Sequence, residues 1–238
     1  NVPVLALTAT ADKATQEDIK LQLKLNHPKT FLSSFERPNI YLSVRPGMER
    51  IEQIRDFVKR HEGAPGIVYC LARKTTETIA ESLRRYGYKA AAYHADMDNR
   101  LRKQVQEDFQ YDRIQIVCAT IAFGMGIDKP NIRWVVHYNL PKNIENYYQE
   151  IGRSGRDGMP AETMMFYTFR DIMVYRDFIE KSEANDTFKE VQRKKLDRIW
   201  EYSQATNCRP NVILNYFGEY RSAPCGHCDH CRQPPVGF

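Results

Sequence analysis

The chain has 238 residues, 42% hydrophobic and 27% charged, an ordinary globular balance that excludes general disorder. Its net charge of +5 is a mild basic excess that suits a polyanionic partner but is equally met in proteins that have none. Its longest apolar runs, such as Ile116 to Ala119 and Trp134 to Val136, fall far short of the roughly 20 residues that cross a bilayer, and no charged-then-apolar leader precedes Val2, so neither a membrane helix nor secretion is expected.

Taken in chain order, VPVLALT is strand-like, Asp12 to Leu25 is helical, and KTFLSS returns to a strand. ERPN is a connector in which Pro38 pushes Arg37 out of the helical region. NIYLSV is a strand, Ile51, Ile54, Phe57 and Val58 mark a helix face, and GIVYC is a short buried strand. Thr76, Ile79, Ala80 and Leu83 mark the next helix, KAAAY a strand, and Leu101, Val105 and Phe109 a further helix. IQIVCAT and RWVVHYNL are strands, Asn143 to Ile151 a helix, and ETMMFYT a last strand. This alternation predicts an α/β fold, a parallel sheet flanked by helices. From Asp171 onward strands disappear. Thr187 to Glu190 fits a capping box opening a long helix with Phe188, Val191, Ile199 and Trp200, and a shorter helix covers about Pro210 to Phe217. The division is 1–36, the tail of a preceding domain; 37–169, a complete α/β domain; and 170–238, a small helical metal-stapled module.

In YYQEIGRSGRDG, Gln149, Arg153 and Arg156 stand at i, i+4 and i+7, so they share a stripe if the helix continues that far. Ile144, Tyr148 and Ile151 would anchor that helix to the sheet. Two fixed guanidinium groups suit a transferring γ-phosphate, whose charge needs rigid, always-ionised donors. A solvated basic helix end, with Gly152 and Gly155 as its cap, also fits. In ATIAFGMGIDKP, Thr120 ends a strand, where parallel sheets present ligand contacts, Gly124 and Gly126 allow close backbone approach, and Asp128 follows in the loop. A plain strand–loop–strand connection also fits.

Cys70 and Cys118 sit inside strand-like runs and read as buried thiols, whereas Cys208, Cys225, Cys228 and Cys231 gather near the C-terminus. With no secretory signal, this cluster reads as a metal site in a reducing compartment. Four thiolates close a tetrahedral structural site with no open position. His227 and His230 lie inside the knuckle as competing ligands, and an iron–sulfur cluster is a rival, although its usual following Cys-Pro is missing.

Together these segments resemble the RecQ branch of superfamily-two helicases over essentially the whole chain. LTATA resembles helicase motif III, IVYCLARKTTETIAESL motif IV, AAYHADMDNRLRKQVQEDF the adjoining RecQ segment, ATIAFGMGIDKP motif V and YYQEIGRSGRDG motif VI, all in family order. The resemblance implies a RecA-like second motor domain followed by a RecQ zinc-binding subdomain with structural Zn²⁺. It implies ATP in a cleft between two lobes, with Arg156 as the better arginine finger, Arg153 beside it, Asp128 on the ribose, Gln149 in the polar network and Gly126 against the nucleotide. It further implies 3′-to-5′ movement on single-stranded DNA and unwinding of duplex DNA in repair and recombination. Strand contact would run through phosphates, with Arg73, Lys74, His94, Thr120 and Asn131 at strand ends and loop starts as candidates. A solvated helix start for Arg73 and Lys74, and a structural role for His94, remain open. No glycine is followed by Lys and there is no Asp-Glu dipeptide, so the GxxxxGK(S/T) loop and acidic motif that hold phosphates and Mg²⁺ are expected in a first RecA-like domain preceding LTATA. The location implied is cytoplasmic and nucleoid-associated in a bacterium, nuclear in a eukaryote. A non-catalytic zinc module that binds DNA or protein, and an RNA-directed motor of the DEAD-box kind, are the other readings.

Overall fold

The computed structural model describes residues 2–8, 13–120, 123 and 127–233. In chain order its elements are α1 (Lys13–Gln22), β1 (Ile40–Pro46), α2 (Arg50–Arg60), β2 (Gly66–Tyr69), α3 (Arg73–Arg85), β3 (Ala90–Tyr93), α4 (Asn99–Gln110), β4 (Ile116–Ala119) and β5 (Trp134–His137). There follow α5 (Ile144–Ile151), β6 (Ala161–Tyr167), α6 (Phe169–Lys181), α7 (Asp186–Gln204), α8 (Arg209–Tyr216) and α9 (Asp229–Arg232).

The six strands form one parallel sheet in the order β1-β6-β5-β2-β4-β3. Every residue of β2, β4 and β5 is buried, as expected of central strands covered on both faces. The order reverses between β2 and β5, and there Asn139 Oδ1 accepts the Leu71 N–H at 3.0 Å. One face packs Ile54, Phe57, Ile79 and Leu83 of α2 and α3 against Val68, Cys118, Trp134 and Val136. Gly66 is required here, because a Cβ on it would lie 2.0 Å from the Trp134 ring. On the other face, Val105 and Phe109 of α4 cover the β4 side. The β1–β6 side of that face is covered by α5, α7 and α8, and its core runs from Leu42, Ile144, Tyr147 and Met165 into Leu196, Ile199, Tyr202 and Ile213. One apolar cluster thus spans both sides of residues 169 and 170.

Several expectations are corrected. VPVLALT and KTFLSS form no strand, and Val2, Leu5, Leu7 and Phe31 are each more than 80% exposed. A strand needs a neighbouring strand to bond its N–H and C=O groups, and among the described residues no strand pairs with these segments. The long C-terminal helix begins at Asp186 with Asn185 as its cap, whose side chain accepts the Phe188 N–H at 2.8 Å, so the Thr187 capping box does not form. Phe188 and Val191 are exposed, the buried face being Leu196, Ile199 and Tyr202. Leu101 is also exposed. Among the described residues no helix is long and apolar enough to cross a membrane.

Candidate arginine loop and metal centre

Asn143 caps α5 by accepting the Asn146 N–H at 2.8 Å, and Ile144, Tyr147 and Ile151 pin the helix to the sheet. The expected continuous stripe through Arg156 does not form, because α5 stops at Ile151 and 152–157 are turns. The Arg153 and Ser154 N–H groups reach back only three residues, to Glu150 and Ile151. Gly155 then turns left-handed with φ +58°, a conformation that favours glycine, and a Cβ there would meet Asn39 Nδ2 at 2.5 Å. The two arginines therefore diverge. Arg153 is half-buried and hydrogen-bonds Tyr69 at the end of β2, while Arg156 is exposed with Nε 3.4 Å from the Gly152 carbonyl. Burial, reinforced by the Glu150 charge, holds the Tyr69 hydroxyl well above its usual pKa, and that hydroxyl donates to the Phe123 carbonyl at 3.3 Å.

The loop leading into β5 lies against this turn. Gly155 N–H donates to Ile132 (2.9 Å), Asp157 N–H donates to Pro130 (3.3 Å), and Arg133 clasps the Asp157 carboxylate (2.6 Å), keeping its pKa below the usual carboxylate range. Asp128, exposed on this same loop, accepts Gln110 Nε2 on its carbonyl at 2.7 Å. Gln149 is exposed on α5 one turn before Arg153. Four of the five nucleotide-site residues thus sit on joined segments, and Gly126 lies outside the described residues. Of the strand-contact candidates, Arg73, Lys74, His94 and Thr120 lie at or just beyond the C-terminal ends of β2, β3 and β4. Arg73 is paired with Asp96, Lys74 is exposed, and His94 is buried with Nε2 3.0 Å from Glu77. Asn131 is not among them, since it precedes β5 beside the arginine loop.

The Sγ atoms of Cys208, Cys225, Cys228 and Cys231 all lie within 4.8 Å of one another. Cys225 and Cys231 are 3.7 Å apart, against about 3.8 Å for the edge of a tetrahedron with metal–sulfur bonds of roughly 2.3 Å. The Cys225 N–H points at Cys208 Sγ (3.2 Å), and the His227 and Cys228 N–H groups point at Cys225 Sγ (3.4 and 3.2 Å), which favours thiolates. Burial raises the Cys225 and Cys228 pKa, so a cation is what would hold them deprotonated. The four thiols fit one soft or borderline divalent ion and leave no open position. His227 Nδ1 instead sits 2.8 Å from the Cys225 carbonyl. Between Cys228 and Cys231, Asp229 locks the knuckle to the sheet: it accepts the Val44 N–H of β1 at 3.0 Å and pairs with buried Arg209 at 3.1 Å.

Sequence reasoning missed Arg37, Arg133 and the Arg209–Asp229 pair. Their partners are 20 or more residues away or are backbone carbonyls, and no spacing announces either; only the ERPN connector marks Arg37.

Two families match the sequence: the helicase conserved C-terminal domain over residues 49–158 and the RecQ zinc-binding region over 169–232. The ATP-dependent DNA helicase RecQ of Haemophilus influenzae is 48% identical over 239 residues, which cover 100% of this chain and 38% of that protein. The RecQ-like DNA helicase blm-1 of Caenorhabditis elegans is 39% identical, covering 98% of this chain and 24% of that protein. A solved DEAD box protein from Methanococcus jannaschii superposes with a TM-score of 0.53 at 29% identity, covering 75% of this chain and 47% of that one. The sheet is that of a RecA-like C-terminal helicase lobe. With the cysteine module behind it, the chain belongs to the RecQ family of helicases, and it spans well under half the length of these curated relatives.

Proposed function

We propose that this chain is the second motor lobe and structural zinc subdomain of an ATP-dependent DNA helicase that moves 3′ to 5′ and separates duplex DNA in repair and recombination. The observation that carries the reading is the joining of the Gly152–Gly158 turn to the 127–132 loop, which sets Arg153, Arg156 and Asp128 along one border of the lobe. Arg156, exposed at the end of this turn, is the arginine finger. Arg153, anchored on Tyr69, supports it, Asp128 meets the ribose, and Gln149 completes the polar lining. A preceding lobe supplies the phosphate loop and Mg²⁺. The exposed apolar residues of 2–8 and 31–32 fit a packing partner in that lobe. Arg73, Lys74 and Thr120 contribute phosphate contacts to single-stranded DNA at the opposite strand ends, and the division at residues 36 and 169 separates tail, motor lobe and zinc module. Cytoplasmic or nuclear residence follows from this role.

In the full-length protein Arg156→Ala should lower kcat for DNA-stimulated ATP hydrolysis by roughly 10³-fold while DNA affinity stays, and Lys should rescue little for want of the planar fork. Near-parental hydrolysis would move the role to Arg153, and normal hydrolysis in both variants would leave the alternative, a non-catalytic zinc module that binds DNA or protein.

A further inference from the structure

Residues Ser34 to Asn39 form a strap with the arginine loop on one side and the cysteine module on the other. The half-buried Arg37 spends its guanidinium on that loop, donating to the carbonyls of Gly152 (3.3 Å), Ser154 (3.0 Å) and Gly155 (3.2 Å). Asn39 Nδ2 donates to Gly155 (2.8 Å) and Met159 (3.0 Å) carbonyls. The Gly152 oxygen sits at the C-terminal end of α5, where a cation is favoured, and the Ser154 and Gly155 oxygens belong to the turn that follows. Arg37 therefore ties down the turn after α5 from a distant point in the chain. Its bonds flank Arg153 and end immediately before Arg156.

The far side of the strap is tied as firmly. Phe35 stacks on Phe217 at 4.3 Å with an 8° interplanar angle. Glu219 accepts the Phe35 N–H (3.0 Å) and the Ser34 hydroxyl (2.6 Å), and Glu36 pairs with Arg221. Phe217 in turn belongs to the apolar cluster that holds Cys228.

Resting on the reading of the arginine loop above, we propose that Arg37 is a positioning residue for the loop carrying Arg153 and Arg156, and that strap 34–39 ties this loop to the cysteine module. The chemistry favours Arg over Lys, because three carbonyls spread along a turn need a planar fork with several fixed donors. Misplacing a transition-state group by about 1 Å can cost roughly 10²-fold in rate, which sets the size of the effect.

The test uses the full-length protein. Arg37→Ala should lower kcat for DNA-stimulated ATP hydrolysis by roughly 10- to 100-fold, with KM for ATP, single-stranded DNA affinity and metal content within about twofold of the parent. Combined with Arg156→Ala it should add almost nothing, since both act through one group. Arg37→Lys, which keeps charge and stem, should fold normally and remain slow. A fully active Arg37→Lys or Arg37→Ala, or losses that multiply in the double variant, would overturn the proposal while leaving the arginine loop intact. If Arg153→Ala and Arg156→Ala both hydrolyse ATP normally, the functional reading and this inference fall together.

Discussion

The two flanks of the sheet are built on different physical terms. Over β2 and β4, α2 and α3 close a face whose core is hydrocarbon: Ile54, Phe57, Val58, Ile79 and Leu83 against Val68 and Trp134. Over β1 and β6, two of the three covering helices, α7 and α8, follow the last strand in sequence, and they bring polar fasteners. Buried Arg209 donates to Asp229 and to the Tyr202 carbonyl (2.7 Å), Asp229 meets the edge strand at Val44, and four thiols converge behind it. This flank has its own apolar cluster and, in addition, a four-thiol site whose metal, once bound, would tie α8 and α9 to it. Coupling is the consequence: the knuckle, edge strand β1 and strap 34–39 share fasteners, so they should yield together, apart from the α2–α3 flank.

The strongest way to break that contrast is to remove the metal. A structural zinc contributes on the order of 10 kcal/mol to folding of a small module. Cys228→Ser should abolish zinc and expose residues 186–238 to protease. Because Leu196, Ile199 and Tyr202 share a cluster with Leu42 and Met165, amide exchange should also quicken in β1 and strap 34–39, while β2 and β4 stay protected. Elemental analysis and exchange mapping check it. A metal-free protein with a protease-resistant module, an iron-bearing preparation, or a β1 indifferent to metal loss would sink the picture.

The complementary perturbation sits on the other flank. Phe57 is 1% exposed and meets Trp134 edge-on at 5.7 Å. Phe57→Ala should cost roughly 3–5 kcal/mol by denaturant unfolding, the usual range for deleting a buried aromatic. Zinc should stay bound at full stoichiometry below the unfolding transition. Loss of metal in parallel with loss of the α2–α3 core would show that the flanks are one cooperative unit.

Much of this division was legible in the sequence because its signals are local. The buried stripe Thr76, Ile79, Ala80 and Leu83 obeys helical spacing, and all four residues are buried. The cysteines announce a centre by spacing, and their sulfurs do converge. What failed was long-range or depended on a neighbour. VPVLALT has strand composition, yet composition does not create an edge to pair with. The stripe Gln149–Arg153–Arg156 assumed a helix that Gly152 and Gly155 end, and Asn185 outcompeted Thr187 as cap because its side chain reached the first free N–H groups of α7. Arg37 could not be assigned a partner, because it bonds backbone carbonyls more than 100 residues away.

The smallest effect tests whether the α2 flank has any ionic fastener of its own. His61, the residue after α2, sits with Nε2 3.0 Å from the Glu162 carboxylate of β6. Burial pushes the His61 pKa down, but hydrogen bonds to Glu162 and to the Phe57 carbonyl outweigh it and leave it above its ordinary value. Burial pushes the Glu162 carboxyl up, and the bond and charge of His61 outweigh that and leave it below. A raised histidine pKa contributes stability that is fully present below about pH 6.5 and fades as pH rises through the folded value. A lowered carboxyl pKa contributes stability that is present above about pH 4.3 and fades as pH falls through its folded value. The pair is therefore at full strength only between these limits, and at neutral pH it is already weakening. Being partly exposed, it should be worth no more than about 1 kcal/mol even there. In Glu162→Gln, ¹⁵N–¹H titration of the His61 ring should show its pKa falling toward or below that of a free histidine, and the stability gap to the parent should be larger at pH 5.5 than at pH 8. A His61 pKa unmoved by Glu162→Gln, or a gap that widens with rising pH, would remove the His61–Glu162 pair from the contacts that hold the α2 flank.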